Sequence, residues 1–333
     1  MKQFLPVPLA GLRLDQVTGF DLYLCPDLDK PPVLYRENHL AFTQHVRDRL
    51  RDTGVTALWT PTDQQDAYYD YLQKNLQLIL QDSTIELEDK VELLYDSAQR
   101  TVQDFFVRPD APELPEQSRQ LVEYLLSMFA ESDDAFSVFM RVAPLDYQTY
   151  THSVNVFVYS VQFARRLDLV DLPSLHDFAL GTLLHDLGKS RVPSSILQKP
   201  GKLTEDEWVV IRKHPGWGCE LLLEHGLDSD LILSITRHHH EKLNGVGYPD
   251  GLQNGAIDPR VRAVTICDIF DALTTRRPYK ERMSTFDALR IMKQDIPHAL
   301  DNDMFKIFVE MLSDPRETVA QTNPDRAAFA SRQ

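Results

Sequence analysis

Seven side chains able to bind a metal recur along this 333-residue chain, six where its predicted helices begin, end or break and the last inside a helix: His152, His185, Asp186, His214, His239, His240 and Asp268. Imidazole and carboxylate are the ligands that hydrolytic metal pairs commonly combine. The cysteines, Cys25, Cys219 and Cys267, are too widely spaced for a thiolate metal site or a disulfide framework, so a metal here must rest on His, Asp and Glu. His152 opens one predicted helix, His185 and Asp186 stand just before the stop Gly188, His214 precedes Pro215, and His239 and His240 close a further helix. Asp268 is the most informative position, because an aspartate inside the apolar run VTICDIFDAL is costly to bury without a metal, a lysine or an arginine. Asp271 lies three residues on, along the same helical face, so one carboxylate could ligate while the other holds Lys189. His238, His239 and His240 cannot all point inward from one helix, since successive side chains are turned by about 100°, and one of them must be a bystander. His39, His45, His176, His225 and His298 lack an acidic or histidine partner at ligand spacing and read as structural or solvent-facing.

The elements that must position these groups are mostly helices. Short β-prone runs, FDLYL, PPVLYR and VTALWTP, surround a helix over TQHVRDRLRDTG that Thr43 can cap and Gly54 can end, which predicts a small N-terminal α/β domain over residues 1–65. From Asp66 to Val107 the spacing turns helical, with Val91, Leu94, Ala98, Val102 and Phe105 on one stripe. The Pro-rich break RPDAPELPEQ completes a connector over 66–117. Helical spacing then dominates 118–313, giving an all-α core domain, and 314–333 read as a tail, so the overall class is α+β. KLTEDE offers Thr204 and Glu207 as a capping box. The net charge of −15 disfavours a long nucleic acid, whose binding depends on neutralising many phosphates. No run of about 18 apolar residues and no signal-like leader is present, which predicts a cytoplasmic protein without a membrane partner.

Five motifs follow one another over roughly residues 145–290: HSVNV, LLHDLGKSRVPSSILQKPGKLTEDE, HPGWG, HHEKLNGVGYP and DIFDALTTRRPYK. In order and spacing this set resembles the HD-GYP family, a branch of the HD phosphohydrolases. The resemblance implies a helical domain that hydrolyses cyclic di-GMP to pGpG, and onward to GMP, through a hydroxide shared by a cluster of divalent metals, iron or manganese most commonly and nickel as a tolerated third. It implies that His152, His185, Asp186 and Asp268 hold one metal and that His214, His239 and His240 hold a second, with Asp186 between them and His238 left out. Lys189 of HDLGK then approaches a phosphate or the hydroxide, so that Asp186, Lys189 and Asp271 are the candidates for catalytic work. Tyr248, Arg277 and Lys280 match positions that contact the dinucleotide.

Three departures from the family pattern bear on this. Gln148 stands where members with a third metal carry a carboxylate, which favours two ions; Asn155 replaces a common arginine, and Asn244 replaces the usual aspartate before GVGYP. By themselves the cations of TTRRPYK would read as a solvated helix end; beside the metal set they read as a ligand-capturing lip. Glu241 reads equally as a carboxylate orienting a histidine ring or as an exposed charge. Two other functions are open to the same residues: hydrolysis of a different nucleotide by the same chemistry, and a binding or adaptor protein that keeps the fold without turnover. The N-terminal domain resembles poorly characterised domains found ahead of some HD-GYP proteins, and its place suggests regulation or a homodimer, formed there or through the connector.

Overall fold

The computed structural model describes residues 3–25, 31–132, 134–142, 149–199, 201–275, 283–294, 296 and 298–313. The sequence-predicted site residues Arg277 and Lys280, Gln148, and the tail over 314–333 lie outside the described residues. The chain divides into two compact units, Met1–Ser97 and Ala98–Gln333.

Among the described residues, the first unit is built on six strands. β1 (Phe4–Pro8), β3 (Leu22–Leu24), β4 (Val33–Arg36) and β6 (Ala57–Pro61) form one sheet in the order β1-β6-β3-β4, and β2 (Gln16–Val17) pairs with β5 (Ala41–Phe42) in a second. β1 lies against β6 with Phe4 opposite Pro61 and Pro8 opposite Ala57. Every strand pairing among the described residues is antiparallel. The unit is therefore sheet plus helix without the parallel crossovers that α/β implies. α1 (Gln44–Asp52) follows Thr43, which occupies the cap position without a side-chain capping bond, and the chain leaves the helix through Gly54 at φ +75°.

The sequence places the end of this domain near residue 65, whereas the compact unit continues to Ser97. The physical reason is α2 (Gln65–Gln81), whose apolar side returns to the sheet layer. Phe20 meets the edges of Tyr68 and Tyr71 at 5.5 and 5.6 Å, and Tyr71 Oη accepts from the Arg13 amide at 2.7 Å. The helical run predicted over 66–107 is broken into α2 and α3 (Leu87–Val107) at Asp82, whose carboxylate accepts from the Thr84 amide and hydroxyl at 2.9 and 2.7 Å. Val91, Leu94, Ala98, Val102 and Phe105, the predicted stripe of α3, are all buried.

The second unit is built of helices among the described residues, with one isolated bridge between Asn244 and Gln253. α4 (Leu114–Glu131) starts inside the Pro-rich break, with Pro115 in its first turn, where a missing amide proton costs nothing. α5 (Ala135–Val142), α6 (Thr149–Arg166) and α7 (Leu172–Leu183) follow, and α6 packs on both α5 and α7. A 3-10 turn over Leu187–Arg191 and the short α8 (Ser194–Leu197) lead to α9 (Glu205–Ile211), α10 (His214–Glu224) and α11 (Asp230–His238). The Thr204 and Glu207 capping box that opens α9 is present in both directions. α12 (Pro259–Thr274) packs on α6 and α11, and α13 (Thr285–Gln294) and α14 (Asn302–Leu312) complete the unit. No helix among the described residues is long and apolar enough to cross a membrane.

Two glycines set the closest approach in this unit. A Cβ on Gly188, in the 3-10 turn, would lie 1.9 Å from the His214 carbonyl oxygen and 2.4 Å from the Gly218 amide nitrogen. That contact seats the turn carrying Asp186 directly on α10, which begins with His214.

Candidate metal centre

Separate elements of the helical unit aim their polar side chains at one buried point. His152 lies in the first turn of α6; His185 and Asp186 occupy the turn where α7 has ended; His214 is the first residue of α10. His239 and His240 follow the last turn of α11, and Asp268 lies within α12. Ligand atoms of Asp186, His214, His239 and His240 all lie within 4.8 Å of one another, as do those of His152, His185 and Asp268. Asp186 stands between the two groups. Its Oδ2 is 3.7 Å from His152 Nε2 and 3.5 Å from His185 Nε2, while Oδ1 is 3.3 Å from His214 Nε2 and 3.7 Å from His239 Nε2. Asp268 closes the arrangement, with Oδ1 3.0 Å from His152 Nε2 and Oδ2 3.3 Å from His240 Nδ1.

The far sides of the rings decide what the near sides can do. Nδ1 of His185, His214 and His239 meets the carbonyl oxygens of Thr182, Ile211 and Thr236 at 2.8, 2.8 and 2.9 Å. A carbonyl oxygen only accepts, so Nδ1 carries the proton in each ring and Nε2 presents a bare lone pair. Each of these carbonyls lies three residues back in the chain, so the local turn itself fixes the tautomer.

Two consequences follow. His214 Nε2 and His239 Nε2 face each other at 3.3 Å as two acceptors, and the buried His185 Nε2 and Asp186 Oδ1 have no hydrogen-bond donor. Lone pairs gathered in this way repel, and buried polar atoms left unsatisfied are costly. A divalent cation between them removes both penalties, so the residues fit metal. Burial drives His240 down to about 3 and lowers His185 and, further, His239, so these imidazoles stay neutral. Burial alone would raise Asp186, but the Lys189 ammonium and the His185 ring hold its carboxyl well below the usual range. Asp268 is likewise raised by burial and held low by the His152 and His240 rings beside it.

Asp271 departs from the expectation that it holds Lys189. Lys189 Nζ, three residues beyond Asp186, pairs with Asp186 Oδ2 instead. Asp271 sits one helical turn past Asp268, behind the His152 ring, where Oδ2 accepts from His152 Nδ1 at 2.6 Å. Its other oxygen accepts from Asn155 Nδ2 at 2.9 Å and Thr275 Oγ1 at 3.1 Å. Asp271 therefore does for His152 what backbone carbonyls do for the other rings: it holds the proton on Nδ1 and turns Nε2 inward. Asn155, at the position where the family commonly has arginine, completes this bond.

Glu241 takes neither of the two roles the sequence suggests. Its buried carboxylate accepts from three consecutive amides, those of Asp250, Gly251 and Leu252, at 2.7, 3.0 and 3.0 Å. It thereby folds the GVGYP loop back onto the histidine turn. Gly247 makes that return possible, since a Cβ there would come within 2.5 Å of Glu241 Cα and 2.7 Å of the His240 carbonyl oxygen. The loop sets Tyr248 against His240, ring centroids 4.7 Å apart at 35°. Asn244 closes a local turn by accepting from the Val246 amide at 3.3 Å. His238 points elsewhere: Asp250 accepts from its Nε2 at 3.0 Å and from Arg237 through two nitrogens. The Thr265 hydroxyl donates to the His239 carbonyl at 2.9 Å, a support of the site that sequence spacing did not mark.

Helix ends and turns that gather these imidazoles and carboxylates around one point define a helical domain of the metal-dependent hydrolase type. Residues 138–304 match the family described as HD domain. Over 317 residues the chain is 31% identical to cyclic di-GMP phosphodiesterase PA4108 of Pseudomonas aeruginosa, an alignment covering 91% of this chain and 75% of that protein. It is 50% identical over 108 residues to cyclic di-GMP phosphodiesterase response regulator RpfG of Xanthomonas campestris, covering 32% of this chain and 28% of that one. It is 37% identical over 165 residues to 3'3'-cGAMP-specific phosphodiesterase 3 of Vibrio cholerae, covering 50% of this chain and 35% of that one. Among solved structures, Bd1817, an HDG"Y"P protein from Bdellovibrio bacteriovorus, shares the fold with a TM-score of 0.67 at 22% identity, covering 93% of this chain and 99% of that one. The chain belongs to the HD domain family.

Proposed function

We propose that this chain is a metal-dependent phosphodiesterase that hydrolyses cyclic di-GMP to linear pGpG, and onward to GMP. In this reading two divalent cations, iron or manganese with nickel tolerated, are held by His152, His185, Asp186 and Asp268 on one side. His214, His239 and His240 hold the other side, with Asp186 between. The observation that carries the reading is the set of bare Nε2 lone pairs turned toward Asp186, an arrangement that needs cations and serves no packing purpose. The substrate is supported by the names of the relatives PA4108 and RpfG. Limitation to two ions rests on the neutral Gln148.

When bound, such a pair supplies an acidified water and withdraws charge from the phosphoryl oxygens during in-line displacement. The residues of the chain do the rest. Lys189 compensates the anionic charge beside Asp186 and faces the incoming phosphate. Arg277 and Lys280 add cations toward the substrate phosphates, and Tyr248 stands against His240. Water adds across one phosphodiester, the bond from phosphorus to the 3' oxygen breaks, the 3' hydroxyl leaves with a proton, and the phosphate stays on the 5' side. The N-terminal unit has a regulatory or dimerising role.

The test is turnover of cyclic di-GMP by anaerobically purified, metal-analysed protein with the products separated. Two metals per chain with pGpG as first product are expected. Tight binding without turnover in the metal-loaded protein would favour an adaptor, and a strong preference for 3'3'-cGAMP would move the substrate. Asp271 acts as a positioning residue: Asp271→Asn is expected to weaken metal binding and turnover by roughly 10- to 100-fold while leaving the fold intact. Metal titration followed by activity at saturating metal checks this, since lost turnover should be recovered in part.

A further inference from the structure

Arg212, at the junction of α9 and α10, is an exposed cation. Its guanidinium lies over the Tyr248 ring, 5.6 Å from the centroid, and Tyr248 in turn lies 4.7 Å from the His240 ring and 6.4 Å from the His214 ring. Tyr248 thus separates Arg212 from the metal-binding imidazoles by one aromatic ring. Among the described residues, four other arginines of the helical unit are engaged by carboxylates: Arg191 by Glu220 and Glu224, Arg237 by Asp250, Arg260 by Asp258, and Arg262 by Asp301. Arg212 is exposed and has no carboxylate partner among the described residues. In a chain of net charge −15, a guanidinium with free donors beside the site is positioned for an anion from outside. A guanidinium held by an aromatic face also keeps its planar fork available for two hydrogen bonds to phosphate.

We propose that Arg212 is a further substrate-binding residue, gripping the phosphodiester of the cyclic dinucleotide that is not being cut, with Tyr248 as its platform. The inference rests on the function proposed above. A cyclic dinucleotide carries two phosphodiesters on one ring; while one occupies the imidazole and carboxylate cluster, the second must lie to the side. Arg212 stands on the Tyr248 side of that cluster, where it can meet the second phosphodiester.

The experiment compares Arg212→Ala, Arg212→Lys and Lys213→Ala on cyclic di-GMP and on bis(p-nitrophenyl) phosphate, which has a single phosphodiester, using protein of measured metal content. Arg212→Ala should raise KM for cyclic di-GMP by about 10- to 100-fold, the size expected for a charge-assisted phosphate contact, with a much smaller change in kcat. Its effect on bis(p-nitrophenyl) phosphate should be far smaller, and Arg212→Lys should recover part of the KM. An unchanged KM in Arg212→Ala overturns the proposal. So does an equal loss on both substrates with loss of metal, which would make Arg212 a support of the loop, or an equal effect of Lys213→Ala, which would make it a diffuse charge. Unmutated protein that cleaves bis(p-nitrophenyl) phosphate yet neither cleaves cyclic di-GMP nor is inhibited by it would overturn the substrate assignment itself, and this inference with it.

Discussion

Asp186→Ala is expected to abolish metal binding at both groups and to lower phosphodiester turnover by roughly 10³-fold or more, since metal pairs supply several kcal/mol of transition-state stabilisation. The reason is positional. Its two oxygens face different groups, Oδ2 toward His152 and His185, Oδ1 toward His214 and His239. An alanine would leave four imidazole nitrogens with no anion between them and Lys189 with its carboxylate partner removed. The rings themselves should stay in place, because their Nδ1 protons are anchored to carbonyls and to Asp271. Elemental analysis beside product separation reads both effects on one sample. Retained turnover in this variant would refute the assignment of the site.

Gly188→Ala is expected to destabilise the helical unit by about 3 kcal/mol or more, at the upper end for an overpacked contact. The new methyl would lie 1.9 Å from the His214 carbonyl and 2.4 Å from the Gly218 amide, both backbone atoms with no rotamer to change. Relief requires moving the start of α10 away from the Asp186 turn, so metal affinity should fall together with the melting temperature. Gly216→Ala is the control: nothing lies within 4 Å of its added Cβ, and it lies within α10. It should be neutral or stabilising by up to about 1 kcal/mol through helix propensity. Thermal melts of the two variants decide the matter, and equal melting temperatures would disprove the proposed contact.

The sequence was most legible where one residue carries its own constraint. An aspartate in the apolar run of α12 is informative alone, because burial demands a partner. The stripe of α3 and the capping box of α9 are legible for the same reason: spacings of three and four residues are enough to specify them. Strands were less so. β1 has no alternation to mark it, and β2 and β5 are two residues long, too short for periodicity to register. The end of the N-terminal unit was missed because α2 has the spacing of a connector helix, and only the packing of Tyr68 and Tyr71 around Phe20 assigns it to the sheet.

Within the site, residue types were readable and partnerships were not. Asp268 and Asp271 look equivalent along the helix, yet one turns toward the imidazole cluster and the other sits behind His152, 119 residues away in the chain. Glu241 is indistinguishable from a surface glutamate until the loop returns to give it three amides.

What the sequence determined by itself is the inventory: which side chains can bind metal, on which helices they sit, and that the chain is acidic enough to need local cations for an anionic ligand. Those follow from residue chemistry and short-range periodicity. The tertiary structure decided which oxygen of Asp186 meets which ring, which carboxylate orients rather than faces the cluster, and that Arg212 meets the Tyr248 ring and no carboxylate among the described residues. Hydrogen bonds and ion pairs are fixed by distances of a few ångströms between segments that loops bring together, and no local pattern records those distances.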